Sequence, residues 1–166
     1  TVGSGHSAIS IDGVTITGYL QFNGVAASAT ITVKDTSVAS SGLHFQTALT
    51  SCTVSITNVA VAATSSIALY FGGAVSGGSI TVADSSLSGV LQGIHVNDLQ
   101  APFALTNTVV TCSAGNGLVF GTVTAATIAI SGGSISGDHR GLLFLAAATS
   151  DAATTISISG VAAAAT

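Results

Sequence analysis

The sequence predicts an all-β fold, a right-handed single-stranded parallel β-helix of about six to seven coils. Three observations carry that prediction. An apolar–small–apolar triplet recurs seven times, each time followed two residues later by Gly, Asp or Asn. A second alternating segment lies between successive triplets. Five of the chain's 6 Phe fall at one position of that second segment. The step between triplets is 22 to 28 residues, a period that signals a solenoid whose repeats pack only on their neighbours.

The triplets are Ile9-Ser10-Ile11, Ile31-Thr32-Val33, Val54-Ser55-Ile56, Ile80-Thr81-Val82, Phe103-Ala104-Leu105, Ile128-Ala129-Ile130 and Ile156-Ser157-Ile158. Period-two alternation marks a strand with one buried face. The residues that follow, Gly13, Asp35, Asn58, Asp84, Asn107, Gly132 and Gly160, accept a left-handed backbone most cheaply. A corner is expected there in every coil. In the middle coils the ladder Asp35, Asn58, Asp84, Asn107 alternates acid with amide. Each Asn can donate to a neighbouring carboxylate, and no two carboxylates meet.

The second segment reads Leu20-Gln21-Phe22, Leu43-His44-Phe45, Leu69-Tyr70-Phe71, Ile94-His95-Val96, Leu118-Val119-Phe120 and Leu142-Leu143-Phe144. Its third members form an inward column, in which aromatic rings can stack offset and bury large area. Its middle members point outward, so His44 and His95 are expected at the surface, too far apart across Tyr70 to share a metal. Neither a 3.6-residue pattern nor a hexapeptide repeat is present, which argues against leucine-rich repeats and left-handed helices.

Alternation also assigns an outward face to the triplet strands. Its hydroxyl-bearing positions include Thr30, Thr32, Thr53, Ser55, Thr57, Ser79, Thr81, Thr106, Thr127 and Ser157. These are candidates for glycosylation, for ice or for a partner surface. Pro102, the sole proline, falls at the start of a strand, where a missing donor costs least.

Composition bounds the function. Charged residues make up only 5% of 166 residues, with two basic side chains, Lys34 and Arg140, and a net charge of −4. That balance opposes nucleic acid. Apolar residues alternate with Ser and Thr, so no membrane span is expected. No Asn-x-Ser/Thr sequon occurs, so any sugar would be O-linked. Cys52 and Cys112 are expected as buried free thiols, because coils two apart exceed disulfide reach. Asp138-His139-Arg140 is the one dense polar cluster and reads as a solvated turn. A stretch at Ala146–Ala153, carrying Asp151, reads as a corner insertion. Residues 1–166 are read as one β-helix domain, a segment or processed part of a longer repeat protein.

The stretch Ser41-Gly42-Leu43-His44-Phe45-Gln46-Thr47-Ala48-Leu49-Thr50-Ser51-Cys52-Thr53-Val54-Ser55-Ile56 resembles the coils of the trypanosomatid dispersed gene family of large surface proteins, which have pectate-lyase-like β-helix repeats. The likeness extends over nearly the whole chain as a repeat style. It implies an extracellular or cell-surface location and an adhesin-like role. The Asp pairs, Gly-His-Gly and Arg-x-Lys motifs of pectin-degrading enzymes are not found here.

The expected function is therefore a non-enzymatic extracellular structural or adhesin-like β-helix. It would be O-glycosylated and would assemble end to end into a filament, or meet a host or glycan surface. No catalytic residue, metal or cofactor is expected. An ice-binding helix using the Thr/Ser face is the first alternative. A carbohydrate-binding or polysaccharide-degrading module built on outward Tyr70 and the histidines is the second.

Overall fold

The computed structural model describes residues 6–146 and 154–165. The insertion with Asp151 lies largely outside them. Every strand pairing is parallel, and the strands form one seven-stranded and one twelve-stranded sheet. The seven-stranded sheet consists of the triplet strands, from Ala8–Asp12 through to Thr155–Ser159, each paired with its equivalent one coil on. The chain is a parallel β-helix.

Register follows the repeats residue by residue. Ile31 pairs with Val54, Val54 with Ile80, Ile80 with Phe103, and Phe103 with Ile128. All five are at most 1% exposed. Polar side chains alternate with them outward, so the β-branched residues pack a one-sided sheet for which their stiff side chains are suited.

The twelve-stranded sheet is two ladders joined through the long strands Thr15–Phe22 and Ser37–Phe45. Ser37–Phe45 pairs through Ser37–Ser40 with Ala60–Ala63, and through Leu43–Phe45 with Leu69–Phe71. Each coil thus has a strand immediately after its corner, then a bend, then the Phe-bearing strand. Sequence periodicity merges the first of these with the second. Its members, such as Ala60–Ala63 and Ser86–Gly89, are only four residues long and rich in Ala and Ser. Val38, Val61, Leu87, Val110 and Ile135 nevertheless form their own buried column.

Small residues line the bend. Gly93, Gly117 and Gly141 precede register-paired Ile94, Leu118 and Leu142. A Cβ on Gly93 would collide with Val110 Cγ1, and one on Gly117 would lie 2.8 Å from Ile135 Cγ2. Glycine is required there for close approach of the two ladders, not for dihedral freedom.

The Phe column stands as one file. Phe22 and Phe45 stack at 4.6 Å, Phe45 and Phe71 at 4.8 Å, and Phe120 and Phe144 at 5.2 Å. Val96 interrupts it between Phe71 and Phe120. The sixth ring accounts for the gap. Phe103, from the opposite sheet, meets Phe120 edge-on at 5.3 Å, and Phe120 is the register partner of the smaller Val96. The ring lost from one wall is supplied by the other.

Cys52 and Cys112 are both free and buried. They lie at different corners, so the relevant geometry is not that of two coils in one column. Cys52 Sγ donates to Ala26 O at 3.4 Å, and Cys112 Sγ donates to Val90 O at 3.0 Å.

Candidate functional site

The triplet strands turn their hydroxyls to one side. Thr30 pairs with Thr53, and Thr53 with Ser79. Thr32, Ser55 and Thr81 form the central row, which Ser157 continues through Ala129 and Ala104, and Thr127 pairs with Thr155 in an outer row. Thr57 pairs with Ala83, and Ala83 with Thr106. These side chains are exposed or half-buried. Pro102 immediately precedes its strand, Phe103–Thr106, and its carbonyl still accepts from Ile80 N–H at 2.9 Å. Lys34 stands in this face and reaches sideways to Asp35 Oδ2 at 3.1 Å.

Asp35, Asn58, Asp84 and Asn107 occupy the corner, all with φ between 47° and 52°. Asn58 Nδ2 donates to Asp35 Oδ1 at 2.6 Å, and Asn107 Nδ2 donates to Asp84 Oδ1 at 3.3 Å. The amide of Asn58, then the Lys34 ammonium, hold the Asp35 carboxyl below its ordinary range. Outside this corner runs an open groove of about 630 Å³, lined by successive coils from Gly13 to Asn107.

Behind the groove lies a column that the sequence does not advertise. Thr36, Val59, Ser85 and Thr108 follow the corner residues and are at most 5% exposed. Each hydroxyl donates to the carbonyl two residues back: Thr36 to Lys34 at 2.7 Å, Ser85 to Ala83 at 2.7 Å, Thr108 to Thr106 at 2.9 Å. Each can also accept from the preceding coil, as Ser85 Oγ does from Val59 N–H at 3.1 Å and Thr108 Oγ1 from Ser85 N–H at 3.4 Å. Val59 alone among these four has no hydroxyl to offer the Thr36 N–H. Val59→Thr is therefore expected to raise stability by about 0.5–1.5 kcal/mol, one net hydrogen bond. A Val→Thr change elsewhere in the apolar core would lower it. Urea unfolding of Val59→Thr beside Val61→Thr separates the two outcomes.

His44 departs from expectation. It is only 5% exposed, although alternation points it outward. Glycine at position 42 leaves room for the ring to fold back, and Nε2–H donates to Ile67 O at 2.9 Å. Tyr19 and Tyr70 close over it at centroid distances of 5.0 and 5.6 Å. His95 continues this outer file at 5.6 Å from Tyr70. Val119, outward by the same count, is fully buried. Beside the bend, outward does not mean wet. Tyr70 is half-buried, and its hydroxyl accepts from Asn97 Nδ2 at 3.2 Å.

Burial lowers the pKa of His44 from its ordinary value of 6.5, partly offset by the bond to Ile67, and burial lowers that of His95 as well. Below 6.5 the unfolded chain then binds more protons than the folded one. Stability should be full above about pH 6.5 and fall as pH drops through the depressed folded values. Melting temperatures from pH 7.5 to 5 check this. His44→Gln should flatten the slope, and an unchanged slope would exclude His44 as its source.

Asp138, His139 and Arg140 are exposed, with His139 Nε2 3.6 Å from Asp138 Oδ2. Among the described residues no group of three or more His, Cys, Asp or Glu side chains could hold a metal ion. No helix among them is long and apolar enough to cross a membrane. No family model, curated protein or solved structure matches the chain.

Proposed function

We propose that the protein is a non-enzymatic structural or adhesin-like β-helix of the extracellular space or cell surface, acting through its hydroxyl-bearing face. The observation that carries this reading is the unbroken register of that face. Thr30, Thr32, Thr53, Ser55, Ser79 and Thr81 sit on one sheet in aligned rows. Such a surface offers many weak, uncharged hydrogen-bonding groups and suits a glycan-rich or host surface met by many copies. It also offers sites for O-glycosylation.

End-to-end assembly is the second element of the proposal. Ile156 and Ile158 are 43% and 51% exposed, on columns that are at most 2% exposed from Ile31 to Ile130. A further coil, of this chain or of another copy, would cover them and pair the open strand edge. Adhesion of protein-coated beads to glycan-bearing cells tests the face. Thr32→Glu with Thr81→Glu should abolish it while melting is unchanged, and undiminished adhesion would remove the face from the function. Filaments in electron micrographs test the assembly.

The same rows favour one other reading, an ice-binding surface. Hydroxyls recur about every 4.8 Å across the strands and about 6.6–6.8 Å along them, a flat two-dimensional lattice. Thermal hysteresis lost on Thr32→Glu would favour ice over adhesion; no hysteresis at millimolar protein would end this reading.

A further inference from the structure

The groove outside the corner repeats its chemistry every second coil. Side chains two positions apart flank each buried member of the inner hydroxyl column. Asp35 and Ser37 do so in one coil, and Asp84 and Ser86 two coils on. The coils between carry Asn58 with Ala60, and Asn107 with Val109, the last 42% exposed. Coils stack about 4.8 Å apart, so like rungs recur about every 9.6 Å.

We propose that this groove binds a peptide in the polyproline II conformation, lying along the solenoid axis with a basic side chain at every third residue. Period decides the conformation. A polyproline II chain advances about 3.1 Å per residue with three residues per turn, so every third side chain returns after about 9.3 Å. That stays in step with the Asp rungs. A β-strand presents alternate side chains every 6.6–6.8 Å, roughly, and is out of step by the next rung.

Charge decides the side chain. Asp84 accepts the amide of Asn107 and is in no ion pair among the described residues. Asp35 accepts the amide of Asn58, and its ion pair is with the solvent-exposed Lys34, a contact that an incoming guanidinium can replace. The net charge of −4 favours the same ligand and disfavours phosphates. A polyproline II backbone has no internal hydrogen bonds. Amides and hydroxyls from Asn58, Asn107, Ser37 and Ser86 can supply partners for its carbonyls. The groove's volume of about 630 Å³ lies within the range of about 300–1,000 Å³ typical of ligand sites. This inference concerns a different side of the molecule from the adhesive face and stands without it.

Fluorescence anisotropy with labelled peptides tests it. A peptide of repeated Arg-Pro-Pro triplets should bind roughly tenfold tighter than one of identical composition with its arginines grouped. Asp84→Asn should weaken binding roughly tenfold. It preserves the corner, because Asn58 and Asn107 adopt the same backbone there. Ser86→Tyr, which fills the groove from an exposed position, should abolish binding, and Thr81→Val on the flat face should leave it unchanged. Circular dichroism and melting confirm that each variant is folded. Equal affinity for the two peptides would overturn the proposal. So would binding indifferent to Asp84→Asn and Ser86→Tyr, or a preference for a neutral β-linked oligosaccharide over either peptide.

Discussion

Phe45→Ala is expected to destabilise the protein by about 3–5 kcal/mol, the largest effect of any single core truncation here. Phe45 is the middle ring of a three-ring stack, nearly parallel to Phe22 and Phe71 with interplanar angles of 6° and 4°. It is 1% exposed, so its removal loses transfer free energy and leaves a void walled by two aromatic faces. The strands above and below are held by ladder hydrogen bonds and cannot collapse into it. Phe45→Leu separates the contributions. It keeps most of the apolar volume and should lose mainly the ring–ring contact, about 0.5–1.5 kcal/mol beyond area. Urea unfolding measures both. A loss below about 1 kcal/mol for Phe45→Ala would contradict a continuous file.

Gly117→Ala is expected to cost about 1–3 kcal/mol through overpacking at the bend. Its Cβ would lie 2.7 Å from Gly141 O, 2.8 Å from Ser136 O and 2.8 Å from Ile135 Cγ2. Two of those atoms are backbone and cannot step aside without spreading the ladders. Gly18→Ala is the matched comparison. Gly18 has φ +110° and open space around its Cβ position, so its cost is conformational only. If the two variants melted alike, steric closeness at the bend would not be what Gly117 provides. Thermal unfolding followed by circular dichroism reads the difference.

Much of this architecture is legible in the residues. Triplet spacing gives the seven-stranded sheet, because its core positions alternate strictly and its corners need a left-handed residue. The Phe file is legible because a bulky ring recurs at one offset. The strand after each corner is not, since Ala60–Ala63 or Ser86–Gly89 has too few large residues to carry a period. His44 shows a second limit. Alternation fixes which side of the strand it leaves, but only the bend at Gly42 and the rings of Tyr19 and Tyr70 decide that this side is dry. Phe103 shows a third. Its pairing with the deficit at Val96 joins two columns that periodicity treats as separate. The inner hydroxyls of Thr36, Ser85 and Thr108 were hidden for a related reason, as their burial reverses the rule that polar means outside.

The acid–amide pairing along the corner constrains how such a chain can change its length. Asn58 serves Asp35, and Asn107 serves Asp84, as two closed couples. Excising the single coil that carries Asn58 would bring two carboxylates face to face at about 4.8 Å, and one of them could remain ionised only at a penalty. Gain or loss of two coils together keeps every carboxylate beside an amide. Gain of an acid–amide pair of coils should therefore be tolerated where loss of the Asn58 coil alone, or duplication of an Asp-bearing coil alone, is not.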